Sequence, residues 1–221
     1  MKIKWLGHSS FLITSDSGAR ILTDPYESGA YNGDLAYGPV REPAEVVTVS
    51  HLHADHFDPK GVPHGATLIK SPGTHDVRGI FVEGITTCHD ETGGRQRGLN
   101  TAFCLTVNDL RVCHLGDLGH ELSAKDQKAL GRVDVILIPV GGYYTIDADQ
   151  ATRVAEALHP RVVIPMHYFT DRTRVESFPI AGVEGFLKGK KSVRRLDRSE
   201  VELSKAALPP ETEVWVLRHA N

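Results

Sequence analysis

Residues 50–56 read Ser50-His51-Leu52-His53-Ala54-Asp55-His56, and this short run decides which fold we expect from the chain. It follows Ala44-Glu45-Val46-Val47-Thr48-Val49, a run that is rich in β-branched residues and predicts a strand. In a turn at the carboxyl end of a strand, three imidazoles and a carboxylate can converge on two neighbouring points. We interpret them as ligands of two metal ions, because imidazole and carboxylate suit zinc and similar ions. The alternative is a polar loop that is merely rich in histidine.

Length and composition indicate one globular domain over residues 1–221, with 40% hydrophobic and 24% charged residues. A net charge of −3 gives no reason to expect nucleic acid or an acidic membrane as partner. No apolar stretch is long enough for a signal peptide or a membrane span, so we expect a cytoplasmic protein. A small-molecule substrate is the expected partner, and assembly into a homo-oligomer is left open.

The hydrophobic pattern predicts a half rich in strands followed by a half in which strands and helices alternate. Ser123 and Asp147 are predicted to cap helices that end near Leu130 and Leu158, and residues 178–188 are compatible with another helix. Two β-sheets packed face to face with helices outside accommodate both halves. The predicted strands are residues 2–6, 10–14, 20–23, 44–49, 66–70, 80–87, 101–107, 110–115, 133–140, 161–165 and 212–218.

Five candidate positions stand at the ends of predicted strands. They are Asp24, the run from His51 to His56, His89, Asp117 and His167. Ligand sites in layered α/β folds gather at the carboxyl ends of strands, so the positions agree with one shared site.

The order of these residues resembles the metallo-β-lactamase superfamily, whose signature is a His-x-His-x-Asp-His run followed by a histidine, an aspartate and a final histidine. The resemblance covers most of the chain and implies an α/β fold, an αββα four-layer sandwich of two mixed sheets with helices on the outer faces. A narrower resemblance is to uncharacterised metal-dependent hydrolases related to the bacterial ascorbate-6-phosphate lactonases. It rests on Gly7-His8-Ser9-Ser10-Phe11, on Pro139-Val140-Gly141-Gly142 with Thr145-Ile146-Asp147, and on Ile164-Pro165-Met166-His167-Tyr168.

The resemblance also implies a ligand set for two divalent ions. Each ion would have three protein ligands and a shared carboxylate, which leaves room for a bridging hydroxide and a substrate atom. Zinc is expected first, and manganese, iron or nickel are alternatives because these ligands accept them all. The implied ligands are His51, His53 and His89 for the first ion, Asp55, His56 and His167 for the second, and Asp117 as the bridge.

Other residues are expected to support the ligands or to contact substrate. Asp24 matches the family's buried aspartate that orients the ligand loop, with a capping role as the alternative. Asp55 and Asp117 are the expected catalytic carboxylates, and Asp55 can also relay a proton to the leaving group. The remaining candidates are His8, Arg97 (with Arg95 as its neighbour), Asn100, His114, His120 and Tyr144. For Arg97 a flexible surface loop, and for Tyr144 rim packing, are equally good interpretations.

The expected activity is hydrolysis of a small ester, lactone or phosphorylated metabolite. A phosphodiesterase acting on a nucleotide, nucleic acid or phospholipid is the second hypothesis, although the net acidity disfavours nucleic acid. A di-iron oxidoreductase is less favoured, because that branch of the family replaces the second histidine of the run, here His53, by glutamate. A non-catalytic metal-binding protein is disfavoured because every ligand position is filled. Substrate choice is expected to lie in residues 26–43, 91–100 and 141–146.

Overall fold

The computed structural model describes residues 1–77, 79–174 and 179–221, in which two mixed β-sheets pack face to face. The smaller sheet contains β1 (Lys2–Gly7), β2 (Ser10–Thr14), β3 (Arg20–Thr23), β4 (Val46–Thr48), β5 (Thr67–Ile69) and β13 (Glu200–Glu202). Its order is β13-β1-β2-β3-β4-β5. The first four strands of that order pair antiparallel, whereas β3, β4 and β5 run parallel, so the strand before the histidine run lies inside the sheet.

The larger sheet supplies the other three strand ends. It contains β6 (Gly73–Val77), β7 (Ile80–Cys88), β8 (Leu99–Val107), β9 (Leu110–His114), β10 (Val135–Pro139), β11 (Val162–Met166), β12 (Val193–Arg195) and β14 (Glu213–Val216). Its order is β12-β14-β11-β10-β9-β8-β7-β6. Asn108 and Asp109, with φ of 49° and 60°, form the two-residue turn between β8 and β9.

Alternate side chains of the smaller sheet enter two different cores. Trp5, Phe11 and Ile21 point into the core between the sheets, whereas Leu12 and Leu22 point outward into a second cluster. That outer cluster is completed by residues of the irregular segment 26–44, all buried: Tyr26, Ala30, Leu35, Tyr37, Val40 and Ala44. The predicted sandwich is therefore confirmed, and an irregular segment forms most of the outer layer on this side.

Few helices complete the outer layers. α1 (Ala30–Gly33) is one turn with left-handed residues inside it, and α4 (Glu184–Leu187) is equally short. α2 (Ala124–Leu130) and α3 (Ala148–Leu158) begin at the predicted caps Ser123 and Asp147, which form capping boxes with Asp126 and Gln150. Of the predicted helix at residues 178–188 only α4 forms, and Phe178 lies outside the described residues. In the described part of the chain no helix could cross a bilayer.

Three strands have no counterpart in the sequence prediction. β6, β12 and β13 are short and polar, and each lies at the edge of a sheet. Edge strands face solvent on one side and commonly carry charged residues, so they lack the apolar alternation that identifies inner strands. β12 lies within a run of basic residues at 188–198, and its side chains are exposed or half-buried.

Candidate metal centre

Six loops that follow strands converge on one side of the sandwich. They carry His8 after β1, Asp24 after β3, residues 50–56 after β4, His89 after β7, Asp117 after β9 and His167 after β11. His8, Asp24 and His167 have left-handed φ values of 48°, 41° and 49°. Such a conformation costs free energy in a residue with a side chain, and it is concentrated at functional sites. Backbone strain and polar side chains therefore coincide at this point.

The first cluster consists of three histidines. Potential ligand atoms of His51, His53 and His89 all lie within 4.8 Å of one another. His51 Nε2 is 3.0 Å from His53 Nδ1, and the two rings meet edge to face. His89 is buried and His53 is exposed, which leaves one side of this cluster open to solvent.

The second cluster is buried and contains one residue more than the sequence implies. Potential ligand atoms of His8, Asp55, His56 and His167 lie within 4.8 Å of one another. His8 Nε2 is 3.1 Å from Asp55 Oδ2, and the His8 and His167 ring centroids are 4.1 Å apart. His8, expected only near the metals, thus lies within the second cluster itself.

Asp117 lies between the two clusters. Its Oδ1 is 3.0 Å from His56 Nε2 and 3.4 Å from His167 Nε2. Its Oδ2 is 3.1 Å from His89 Nε2 and 3.7 Å from His51 Nε2. Each oxygen of this carboxylate therefore faces a different cluster.

Asp24 lies behind His56 and determines which ring nitrogen faces the centre. Its Oδ2 is 2.7 Å from His56 Nδ1 and accepts a hydrogen bond from the Ser50 hydroxyl, and its Oδ1 accepts one from the Ser50 backbone N–H. Burial alone would raise the pKa of Asp24, but His114 and His56 hold it below its usual value. Because an ionised carboxylate only accepts, His56 donates from Nδ1 and turns Nε2 towards Asp117.

The nitrogen and oxygen atoms at the centre are suited to bind a cation. His56 Nε2 and Asp117 Oδ1 are buried and 3.0 Å apart, yet neither has a hydrogen-bond partner within the described residues. Burial would lower the pKa of His167, but Asp117 and Asp55 raise it to about 9, and the same carboxylates raise the pKa of His56. A proton on either ring thus balances the negative charge of these carboxylates, and a metal ion can balance the same charge.

Metal binding is therefore expected to release protons. A pH of 7.5 is below the pKa of about 9 of His167, so Nε2 and Nδ1 both carry a proton. One proton must leave before the ring can bind a metal ion. We expect zinc added to chelator-treated protein to release about one to two protons, and fewer above pH 9. Calorimetry in buffers with different ionisation enthalpies measures this number. A binding enthalpy that does not depend on the buffer contradicts the prediction, and exposed His64→Ala is the control.

Three further candidate residues support the loops from behind. Asn100 accepts a hydrogen bond from the Asp117 N–H at 3.0 Å and donates to Thr87 Oγ1 and to the Leu115 carbonyl. His120 accepts a hydrogen bond at 3.1 Å from the backbone N–H of Cys88, beside His89. His114, which the sequence leaves open, similarly donates from Nε2 to the Ser9 carbonyl at 2.7 Å. These side chains hold backbone in place, and none of them lines the cavity described below.

Gly116 permits the close approach of the loop that carries Asp117. Its φ is +54°, and a Cβ there would overlap Asn100 Oδ1 and the Ser50 side chain. We expect Gly116→Ala to lower the free energy of unfolding by about 3 kcal/mol, from backbone strain plus overpacking. Gly29→Ala is the matched control, because Gly29 is also left-handed but has open space around it, and it should cost only about 1 kcal/mol. Urea unfolding measures both, and equal losses would contradict the tight approach.

A cavity of about 390 Å³ opens over the clusters. Its wall contains Arg97, whose guanidinium is 5.7 Å from the ring centroid of Tyr144. It also contains Tyr31, which the sequence analysis did not single out and whose hydroxyl donates to Asp55 Oδ1 at 2.8 Å. Arg95 is exposed and does not line the cavity. The lining residues are Tyr31, His53, Asp55, His89, Arg97, Asp117 and Tyr144.

Known proteins resemble this chain in sequence and in structure. Residues 2–167 match a family model described as the β-lactamase superfamily domain. A UPF0173 metal-dependent hydrolase of Archaeoglobus fulgidus is 31% identical over 198 residues, which cover 77% of this chain and 84% of that protein. A UPF0173 metal-dependent hydrolase of Thermus thermophilus is 27% identical over 234 residues, covering 89% of this chain and all of that protein.

A solved structure extends the likeness to nearly the whole chain. A proposed Zn-dependent hydrolase of the metallo-β-lactamase superfamily from Thermotoga maritima is 34% identical and superposes with a TM-score of 0.76, covering 98% of this chain and 97% of that one. Sequence, fold and the gathered histidines agree, and the resemblance to the metallo-β-lactamase superfamily is confirmed. The chain belongs to the metallo-β-lactamase superfamily and is a metal-dependent hydrolase related to the UPF0173 group.

Proposed function

We propose that this hydrolase holds two divalent metal ions, zinc in the first place, and cleaves a small ester, lactone or phosphorylated metabolite. The observation that carries the proposal is the position of Asp117, with one oxygen towards His56 and His167 and the other towards His89 and His51. A carboxylate that faces two ligand clusters at once is suited to bridge two ions.

The chain supplies enough ligands for both ions. His51, His53 and His89 would hold the first ion, and Asp55, His56 and His167 the second, with Asp117 shared. His8 is near enough to the second group to serve as a further ligand or as a hydrogen-bond partner of Asp55. Burial lowers the pKa of His8 to about 4, so its ring is neutral near pH 7 and able to play either role.

When bound, two divalent ions supply an activated water and a Lewis acid for the carbonyl or phosphoryl oxygen of the substrate. The surrounding residues orient the proposed ligands. Asp24 fixes the His56 ring, and Asn100 fixes the backbone of Asp117. Tyr31 donates to Asp55 Oδ1 and so holds this carboxylate at the cavity wall, where Asp55 would take a proton from the attacking water and pass it to the leaving group.

Cavity size and charge support a small substrate over a nucleic acid. A volume of about 390 Å³ suits a metabolite-sized ligand. Nucleic-acid binding requires several cationic side chains along an extended surface. The described cavity lining contains one arginine, Arg97, and no lysine. A small phosphodiester remains within the size limit and is one arm of the test.

An activity screen tests the proposal. Chelator-treated protein is reloaded with zinc, manganese, iron or nickel in turn and assayed with lactones, carboxylic esters, thioesters and phosphodiesters. We expect metal-dependent hydrolysis of at least one class, and none without metal. Folded protein that holds two ions yet hydrolyses no class would contradict the proposed activity.

A further inference from the structure

The carboxylate of Asp90 is surrounded by the loop that follows it. Asp90 is buried beside His89 and accepts five hydrogen bonds of 2.6–2.9 Å, all from residues 92–97. Oδ1 accepts from the backbone and hydroxyl of Thr92 and from the Gly94 N–H, and Oδ2 accepts from the Gln96 and Arg97 N–H groups. No metal cluster found among the described residues includes Asp90.

These bonds determine the conformation of a glycine-rich segment that has no helix or strand. Five donors lie within 2.9 Å of the two oxygens, which suits an ionised carboxylate because it only accepts hydrogen bonds. A carboxylate that accepts several N–H groups makes charge-assisted bonds, which are stronger than bonds between neutral groups. The loop is further closed by bonds from Gly98 N to the Gly94 carbonyl and from His89 N to the Gly98 carbonyl.

Arg97 is the last residue held by Asp90, and its side chain lines the cavity over the metal clusters. It is the one lysine or arginine in the described lining of that cavity, and within residues 1–77, 79–174 and 179–221 it forms no ion pair with a carboxylate. Its guanidinium instead lies near the Tyr144 ring. A half-buried guanidinium without a carboxylate partner, directed into a substrate-sized cavity, is suited to bind a carboxylate or phosphate group.

We propose that Asp90 is a positioning residue that shapes residues 92–97 so that Arg97 binds a carboxylate or phosphate group of the substrate beside the bond that is cleaved. The inference rests on the proposed function, because it places the bound group in the same cavity. It adds a substrate class, namely anionic esters, lactones or phosphate-bearing metabolites, and it assigns a role to a carboxylate that is not a ligand.

Calorimetric titration of the zinc-loaded protein tests this with two probes, inorganic phosphate and acetate. We expect Arg97→Gln to weaken phosphate binding by about tenfold or more, as loss of a charged hydrogen bond does. Arg95→Gln is the matched control, since Arg95 lies in the same loop outside the cavity, and it should change affinity by less than about twofold. A parallel loss for acetate extends the site to carboxylates, and a loss for phosphate alone restricts it to phosphate groups. Equal effects of the two arginine variants overturn the proposal.

Asp90→Asn tests the positioning role. Its amide nitrogen would face backbone N–H donors, so the loop should open and phosphate affinity should fall about as far as in Arg97→Gln. Combining the two substitutions should cause no further loss, because both remove the same interaction. Additive losses, unchanged affinity in Asp90→Asn, or a lower zinc content in that variant would overturn the positioning role.

Thr92→Val is the milder variant if Asp90→Asn does not fold. It removes one donor to Asp90 and should give a smaller loss of affinity in the same direction. Unchanged affinity in this variant counts against the proposal. None of these titrations requires turnover, so failure of the hydrolysis screen and failure of the anion site are separate results.

Discussion

His167→Ala is expected to lower kcat/KM by about 10³-fold or more for any substrate that the hydrolysis screen identifies. The buried His167 Nε2 is 3.4 Å from Asp117 Oδ1 and 3.7 Å from Asp55 Oδ2, so alanine would remove a proposed ligand of the second ion. Loss of residues that merely support a ligand already costs about 10–100-fold, and loss of a ligand itself should cost more.

Steady-state kinetics on zinc-loaded protein, with circular dichroism as the check on folding, measure this effect. His64→Ala is the control, because His64 is exposed and belongs to no described cluster, and it should keep nearly full activity. A folded His167→Ala variant whose kcat/KM stays within tenfold of the original would contradict the proposed mechanism.

Asp117→Ala is expected to have the second largest effect. It removes a carboxylate whose two oxygens face different clusters, and it leaves the histidines on either side in place. Metal content after dialysis should fall from the proposed two equivalents per chain towards one or less, because both proposed ions lose their shared ligand. Elemental analysis of the dialysed variant measures the loss.

Asp117→Asn separates the charge of this residue from its size. The backbone N–H of residue 117 still donates to Asn100 in this variant. The asparagine side chain, however, contributes only one ligand oxygen and no negative charge. We expect a metal content between those of the original protein and Asp117→Ala. Two tightly held equivalents in both variants would refute the bridging role.

Much of the fold follows from local sequence signals. The inner strands carry apolar alternation or continuous apolar runs, and capping boxes fix the beginnings of α2 and α3. Three edge strands, β6, β12 and β13, escaped prediction because their side chains are mostly polar and partly exposed, whereas the more apolar edge strand β5 was predicted. The outer layer over the smaller sheet also escaped, since tyrosines of the irregular segment 26–44 pack there without any helical period.

The histidines and aspartates that the structure brings together could be singled out in advance because their order along the chain is distinctive and each follows a strand. What sequence could not provide is which side chains approach one another. His8 reaches Asp55 across 47 positions, and Tyr31 reaches the same carboxylate from a left-handed turn that no local pattern announces. Asp90 lay beside a predicted ligand, but its role depends on five hydrogen bonds that exist only once the loop has folded.

Anomalous diffraction from crystals of the metal-loaded protein, recorded at the absorption edge of the bound metal, tests the central claim most directly. The account predicts two peaks about 3.5–4 Å apart, one on each side of the Asp117 carboxylate. One peak would lie among His51, His53 and His89, and the other would lie by Asp55, His56 and His167. A single peak in fully loaded, active protein, or peaks away from Asp117, would contradict it.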